Sequence, residues 1–325
     1  MKILVTGGHG FIGHNVVSMF EQQGHDVFIL DNKTNYGFIG QQHLQTLLDQ
    51  RHQHYQATSL VCDIVDRLLV EETVNNYSPD LVVHLASFPR QKIVNTDPAA
   101  ASQVMITGLI NLLEASVAAG VGKFVYVSSS MVYGDFENGV KETDACDPKG
   151  QYGIMKLAGE WLVRDYCRKF QMQYVILRPS AVYGERDVED RVVSKFMVSA
   201  LRNEVLTVRG ANEVLDFTHV QDAAQGIVSA ALSQNTTNNV YNITRSDARR
   251  HTLESAARLI VDIVGGGQIK IANRDGNYPS RGNLGIAKAR RDFNYNPQID
   301  VEEGFRRYYD WYCKNPALWH KPSVS

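Results

Sequence analysis

The sequence predicts an α/β fold, a doubly wound parallel sheet followed by a smaller, interrupted α/β unit toward the C-terminus. Three observations carry that prediction. Short β-branched runs alternate with longer amphipathic runs through the first half of the chain, the rhythm of a sheet covered by helices on both faces. A glycine-rich turn joins the first strand-like run to the first helical one. After position 179 the rhythm loosens.

Taken in order, the strands fall at 2–6, 26–31, 56–62, 80–85, 123–129 and 173–179, with helices near 12–23, 66–77, 97–119 and 151–170. Asp66 and Asp97 stand where N-caps belong, the second with Pro98 at the first helical position. Beyond these, strand-like segments at 205–208, 239–244 and 268–272 alternate with helices near 190–202, 221–233 and 252–264. The expected division is a cofactor-binding domain over 1–180, with 216–244 returning to it, and a substrate-binding domain from 181–215 and 245–325. The Gln- and His-rich stretch 41–54 reads as a solvated loop or short helix, and Gly265-Gly266-Gly267 as a helix C-cap and turn.

Composition narrows the partners. Net charge is −2, too small for a global field that would draw nucleic acid or an anionic membrane. Cys62, Cys146, Cys167 and Cys313 are too scattered for a Cys-x-x-Cys pair or a zinc spacing, so no metal is expected. No uninterrupted apolar run reaches membrane-spanning length, and the first strand begins at once. The expectation is a cytoplasmic protein.

The stretch LVTGGHGFIGHNVV sets Gly7, Gly10 and Gly13 between a strand and a helix, with Phe11 and Ile12 inside the turn. Glycines there allow a tight turn and close approach of backbone to a pyrophosphate, which the helix N-terminus attracts. Asp31, ending the second strand and followed by Asn32, can accept hydrogen bonds from an adenosine ribose, and its charge repels a 2′-phosphate. This is a Rossmann-type arrangement, and it favours NAD over NADP, with Lys33 as the one nearby counterweight. Asp63 and Ile64 follow the third strand, Asp63 placed to meet the adenine or to cap a helix. Leu85, Ala86 and Ser87 close the fourth strand and Pro179 the sixth, where ligands of such sheets collect.

In QYGIMKLAGE, Tyr152 and Lys156 share one helix face. A phenol of ordinary pKa about 10 is a poor base at neutral pH, but a nearby ammonium favours the phenolate. Tyr152 can then serve as general base toward a sugar hydroxyl or general acid toward a ketone. Alone, the pair is common on any helix; VYVSSSMVYG just upstream ends a strand on three hydroxyls and gives it a context.

The stretches TGGHGFIG, HLAS, SSSMVYG, YGIMK, RPSAVYG and VQDAAQGI resemble, in order and approximate spacing, those of the extended short-chain dehydrogenase/reductase family, the NAD-dependent sugar-nucleotide epimerases and dehydratases. The likeness runs from Met1 to about Trp311 and is closest in kind to UDP-hexose 4-epimerases. It implies a nucleotide-sugar substrate, NAD, and a homodimer built from helices near 97–119 and 151–170. It further implies that Ser129 holds the substrate oxygen beside Tyr152, that Lys156 binds the nicotinamide ribose, and that Ser130 makes a second substrate contact. Arg90, in SFPRQK, is similar to the arginine of a Val-Pro-Arg substrate loop. Three departures stand out: Met105 and Ala181 replace family asparagines, and Leu215 replaces a phosphate-binding arginine, leaving Arg209, Arg281 or Arg186 as substitutes. His14 is a further candidate for a cofactor phosphate, whereas His219 reads as structural.

Family members that eliminate water resemble one another in carrying an acid after the catalytic hydroxyl; here those places are Ser130 and Met131, and a thioether cannot move protons. The expected activity is epimerisation at C4 of a nucleotide sugar through a transient 4-keto intermediate. The alternative is a reductase or dehydrogenase of a sugar nucleotide or related hydroxy compound; a 4,6-dehydratase and a non-catalytic NAD-binding regulator rank below both.

Overall fold

A computed structural model of the chain describes every residue except 35, 37, 38, 188–190, 248, 250, 277 and 321–325. The elements run β1 (Lys2–Thr6), α1 (Gly13–Gln22), β2 (Asp26–Asp31), α2 (Gln41–His52), β3 (Thr58–Val61), α3 (Arg67–Tyr77), β4 (Leu81–His84), α4 (Gln91–Thr96), α5 (Pro98–Ser102) and α6 (Leu109–Ala118). There follow β5 (Lys123–Val127), α7 (Gln151–Phe170), β6 (Gln173–Pro179), β7 (Val182–Tyr183), α8 (Val192–Leu201), β8 (Val205–Arg209), β9 (Thr218–His219) and α9 (Val220–Leu232). The chain ends with β10 (Asn239–Ile243), α10 (Leu253–Val264), β11 (Gln268–Ala272), α11 (Ala287–Phe293) and α12 (Val301–Lys314).

Seven of these strands form one parallel sheet in the order β10-β6-β5-β4-β1-β2-β3. The order reverses beside β1, between β4 and β2, and a doubly wound sheet opens its ligand crevice at such a point. The fold is therefore the Rossmann-like α/β architecture that the alternating pattern predicts. Both sheet faces are buried: Ile3 and Val5 pack with α1 and α9, while Leu4 between them faces α3, α6 and α7. A third apolar cluster joins Phe196, Met197, Leu206, Val208, Ile260, Phe305 and Tyr308 around α8, α10 and α12. Small parallel pairs, β11 with β8 and β7 with β9, complete the C-terminal part.

Several elements differ from the sequence reading. Stretch 41–54 contains a three-turn helix, α2, whose Leu44, Leu47, Leu48 and Arg51 are buried along one side. The helix expected near 97–119 is interrupted by a π-helical stretch, Gln103–Gly108, between α5 and α6. Position 190, the expected start of α8, lies outside the described residues; Arg191 is the N-cap. Residues 98–118 are long and apolar enough to cross a membrane although they contain no unbroken apolar run, but 56% of that window is buried inside the protein. α11 adds Ala289 to the sheet's own core, and α2 adds Leu47 to the third cluster, so the two parts interleave beyond the expected boundaries.

Candidate active site

The carboxyl ends of β1 to β6 open on a single cleft of about 980 Å³. At one end lies the glycine turn. Gly7 has φ +72°, and a Cβ there would come within 2.7 Å of the Ala86 nitrogen; a Cβ at Gly13 would overlap the Gly7 carbonyl oxygen. The turn thus lies flat against the end of β4, and α1 starts with neither a capping side chain nor an acidic residue in its first turn. The positive end of its dipole is left for an anionic ligand.

Asp31 is fixed from two sides: Oδ2 accepts from the His9 N–H at 2.9 Å and Oδ1 from the Lys33 N–H at 2.7 Å. Burial pushes its pKa up, and these hydrogen bonds, with Arg51 and Lys33, oppose the rise. Gly10, Phe11, Ile12, Asn32, Ile64, Leu85, Ala86, Ser87 and Pro179 all line the cleft. Asp63 does not; its carboxylate accepts from the Asn32 amide and the Val65 N–H, both at 3.0 Å, holding the turn into α3. His14 is likewise spent on structure. Its Nδ1 donates to the Gly10 carbonyl at 3.0 Å and its Nε2 accepts from Arg186 Nε at 2.9 Å; Arg186 is not among the residues lining the cleft.

At the middle of the cleft, β5 ends on the serines. Ser128 Oγ donates to Glu160 Oε1 at 2.7 Å, and Arg178 clamps that carboxylate through Nε at 2.8 Å and Nη2 at 2.6 Å. Glu160 sits one helical turn beyond Lys156, so this buried fork fixes α7 against the end of β5. Ser129 accepts from the Met131 N–H at 3.2 Å, opening a 3₁₀ turn over Ser130–Tyr133, and is hydrogen bonded to Tyr152. Ser130 Oγ donates to Ser180 Oγ at 3.1 Å. Lys156 Nζ donates to the Val127 carbonyl at 2.8 Å and lies 5.9 Å from the centroid of the Tyr152 ring.

The electrostatics depart from the sequence reading. Burial raises the Tyr152 pKa, and the groups that pull it down are Arg191, the Ser129 hydrogen bond and Arg90. The Lys156 ammonium is held by the Val127 carbonyl; burial brings its own pKa to about 7, with Glu160 opposing.

The far end is a field of long cations. Arg90 precedes α4, Arg209 ends β8, and Arg281 brings Nη1 to 3.8 Å from the Met131 sulfur. Arg274 pairs with Glu213 at 2.8 Å on the same wall. Leu215 is buried in the third core cluster, Met105 in the first, and Ala181 holds φ +40°, a conformation that asparagine tolerates better than alanine. His219 is structural, its Nδ1 accepting from the Gln221 N–H at 3.3 Å.

Three lining arginines escaped the sequence reading: Arg274, described above, Arg191 and Arg51. Arg191 lies over the Phe11 ring at 5.4 Å and 3.1 Å from Asp187; the i,i+4 spacing of that pair was its only trace. Arg51 comes from α2, where Leu44, Leu47, Leu48 and Arg51 repeat at helical spacing. Among the described residues the lining carboxylates are Asp31, Asp187, Glu213 and Asp275, and none of these stands beside Ser129 on the 3₁₀ turn.

The family model described as NAD dependent epimerase/dehydratase family matches residues 3–244. The chain is 30% identical to an uncharacterized UDP-glucose epimerase of Bacillus subtilis, over 94% of this chain and 95% of that one. It is 29% identical to a dTDP-glucose 4,6-dehydratase of Streptomyces antibioticus, over 98% and 94%. Among solved structures it is similar to a UDP-glucuronic acid 4-epimerase of Bacillus cereus in complex with UDP-glucuronic acid and NAD, with a TM-score of 0.87, 27% identity, and coverage of 97% and 99%.

Proposed function

This chain belongs to the NAD-dependent epimerase/dehydratase family, and from that premise we propose that it epimerises a UDP-hexose at C4. It is an enzyme of the sugar-nucleotide epimerase/dehydratase superfamily, and NAD is its cofactor. The cleft fits that group: a flat glycine turn, an uncapped helix N-terminus and the Asp31 carboxylate all face its adenosine side.

NAD supplies the acceptor and donor of hydride. Tyr152 takes the proton of the C4 hydroxyl, and Ser129 holds the same oxygen by a hydrogen bond. Lys156 binds the nicotinamide ribose, while Arg191, Arg90 and the Ser129 hydrogen bond pull the phenol's pKa down. The 4-keto sugar turns in the cleft, and Tyr152 then returns the proton on the opposite configuration. Arg281 and Arg209 hold the diphosphate in place of the arginine lost at Leu215, with Arg90 and Ser130 on the sugar.

The single observation that carries the reading is Met131, whose sulfur faces Arg281 where a dehydratase needs an acid. Oxidation and reduction of one carbon need Tyr152 alone as proton carrier; elimination needs a second. Mass spectrometry of small molecules released from the denatured protein tests it: NAD together with a UDP-hexose is expected, and NADP or a 4-keto-6-deoxy sugar nucleotide would sink it.

A further inference from the structure

His9, the third residue of the glycine turn, has no part in the mechanism above. The residue lines the cleft and is only 2% exposed. Nδ1 lies 2.5 Å from the Tyr55 hydroxyl and 3.0 Å from His52 Nε2, and the residue's carbonyl accepts from Arg51 Nη1 at 3.1 Å. Burial, helped by His52, Lys33 and Arg51, holds the imidazole pKa at about 3, so the ring is neutral and carries one hydrogen.

Nδ1 faces both the Tyr55 hydroxyl and His52 Nε2, whereas Nε2 has no protein partner among the described residues. With Tyr55 donating to Nδ1, the one ring hydrogen sits on Nε2, a buried donor without a protein partner. Buried donors are rarely left so, and in a ligand cleft the missing partner is the ligand. The His9 N–H meanwhile holds Asp31 Oδ2 at 2.9 Å, so an orphan donor and a carboxylate acceptor stand together on one wall. A hydroxyl, which donates and accepts at once, complements that pair; a phosphate oxygen only accepts and would face the Asp31 charge.

We propose that the His9 side chain belongs to the cofactor site, its Nε2–H donating to an adenosine-ribose hydroxyl whose own hydrogen goes to Asp31. This assignment rests on NAD occupying the cleft with its adenosine at the glycine turn. The test is calorimetric titration of the cofactor-free protein with ADP, 2′-deoxy-ADP and 3′-deoxy-ADP, for the wild type and His9→Phe.

His9→Phe should weaken ADP about fivefold to tenfold, the size of one hydrogen bond. Loss of the engaged hydroxyl should cost the wild type a similar factor but the variant less than about twofold, the coupling expected of a direct contact. Equal weakening of all three nucleotides, which a diphosphate contact or a purely structural His9 would give, overturns the assignment, as does unchanged ADP binding. Should His9→Phe fail to fold, Tyr55→Phe keeps the ring's packing but releases its tautomer. It should weaken ADP about two- to threefold while leaving 2′-deoxy- or 3′-deoxy-ADP unaffected, and no difference among the three would count against the proposal. A wild type that binds neither NAD nor ADP would instead refute the cofactor placement itself.

Discussion

The two ends of the cleft are held by opposite means. At the glycine turn and the catalytic centre, short side chains and main chain at strand ends are each fixed by a protein partner: Asp31 by two N–H groups, Lys156 by the Val127 carbonyl, Glu160 by Arg178 and Ser128. At the far end, Arg209 and Arg281 reach in on long stems from β8 and the segment after β11, beside an Arg274 held by Glu213. On the proposed reading the sheet preorganises the chemistry, while recognition of the nucleotide sugar is left to side chains that can be exchanged without disturbing it. Leu215 in place of an arginine is tolerable on that view.

Substitutions can break or sharpen the contrast. The largest effect belongs to Tyr152→Phe, which should lower kcat about 10³- to 10⁴-fold with bound NAD unchanged, read as turnover beside cofactor absorbance. A loss within tenfold would place the proton carrier elsewhere. Next is Arg178→Met, which strands the Glu160 carboxylate in a dry interior and should cost about 3–5 kcal/mol in denaturant unfolding. Adding Glu160→Gln should restore part of it; a cost below about 1 kcal/mol would mean that the fork does not fix the catalytic strand end.

At the far end the expectation reverses. Arg281→Ala should raise KM roughly tenfold or more, the loss of a charged hydrogen bond, and leave kcat within about twofold. An equal fall in kcat would erase the distinction between the two ends. Arg191 bridges them, because its charge lowers the Tyr152 pKa that burial raises. Removing that charge lets the pKa climb, so less phenolate is present at a given pH. In Arg191→Ala the rising limb of log kcat against pH should move to higher pH by about one unit, a tenfold loss at neutrality. A limb that stays in place would detach Arg191 from the chemistry. The smallest effect is structural: Ala181→Gly should relieve the left-handed backbone at φ +40° and stabilise the protein by about 0.5–1 kcal/mol, whereas a lower Tm would deny that strain.

The same contrast explains what was legible in the sequence. The sheet, the glycine turn, Asp31 and the Ser129, Tyr152 and Lys156 set could be read because backbone geometry fixes their spacing. Asp63 and His14 stood between a ligand and a structural role in the sequence because each has an equally good partner inside the protein, a choice that spacing does not reveal. Arg51 was hidden in a Gln- and His-rich segment whose leucines, three and four apart, carried the helical signal. Arg191 gave almost none, since its position beside Phe11 arises from the tertiary crossing of α8 over the glycine turn. The π-helical stretch around Met105 has no sequence signature that distinguishes it from α-helix.

The central claim, redox chemistry at one carbon without elimination, is tested most directly with UDP-glucose deuterated at C4. The account predicts interconversion of the two C4 epimers, deuterium retained at C4, and no net consumption of NAD or NADH. Loss of one water from the sugar, or stoichiometric turnover of the cofactor, would contradict it.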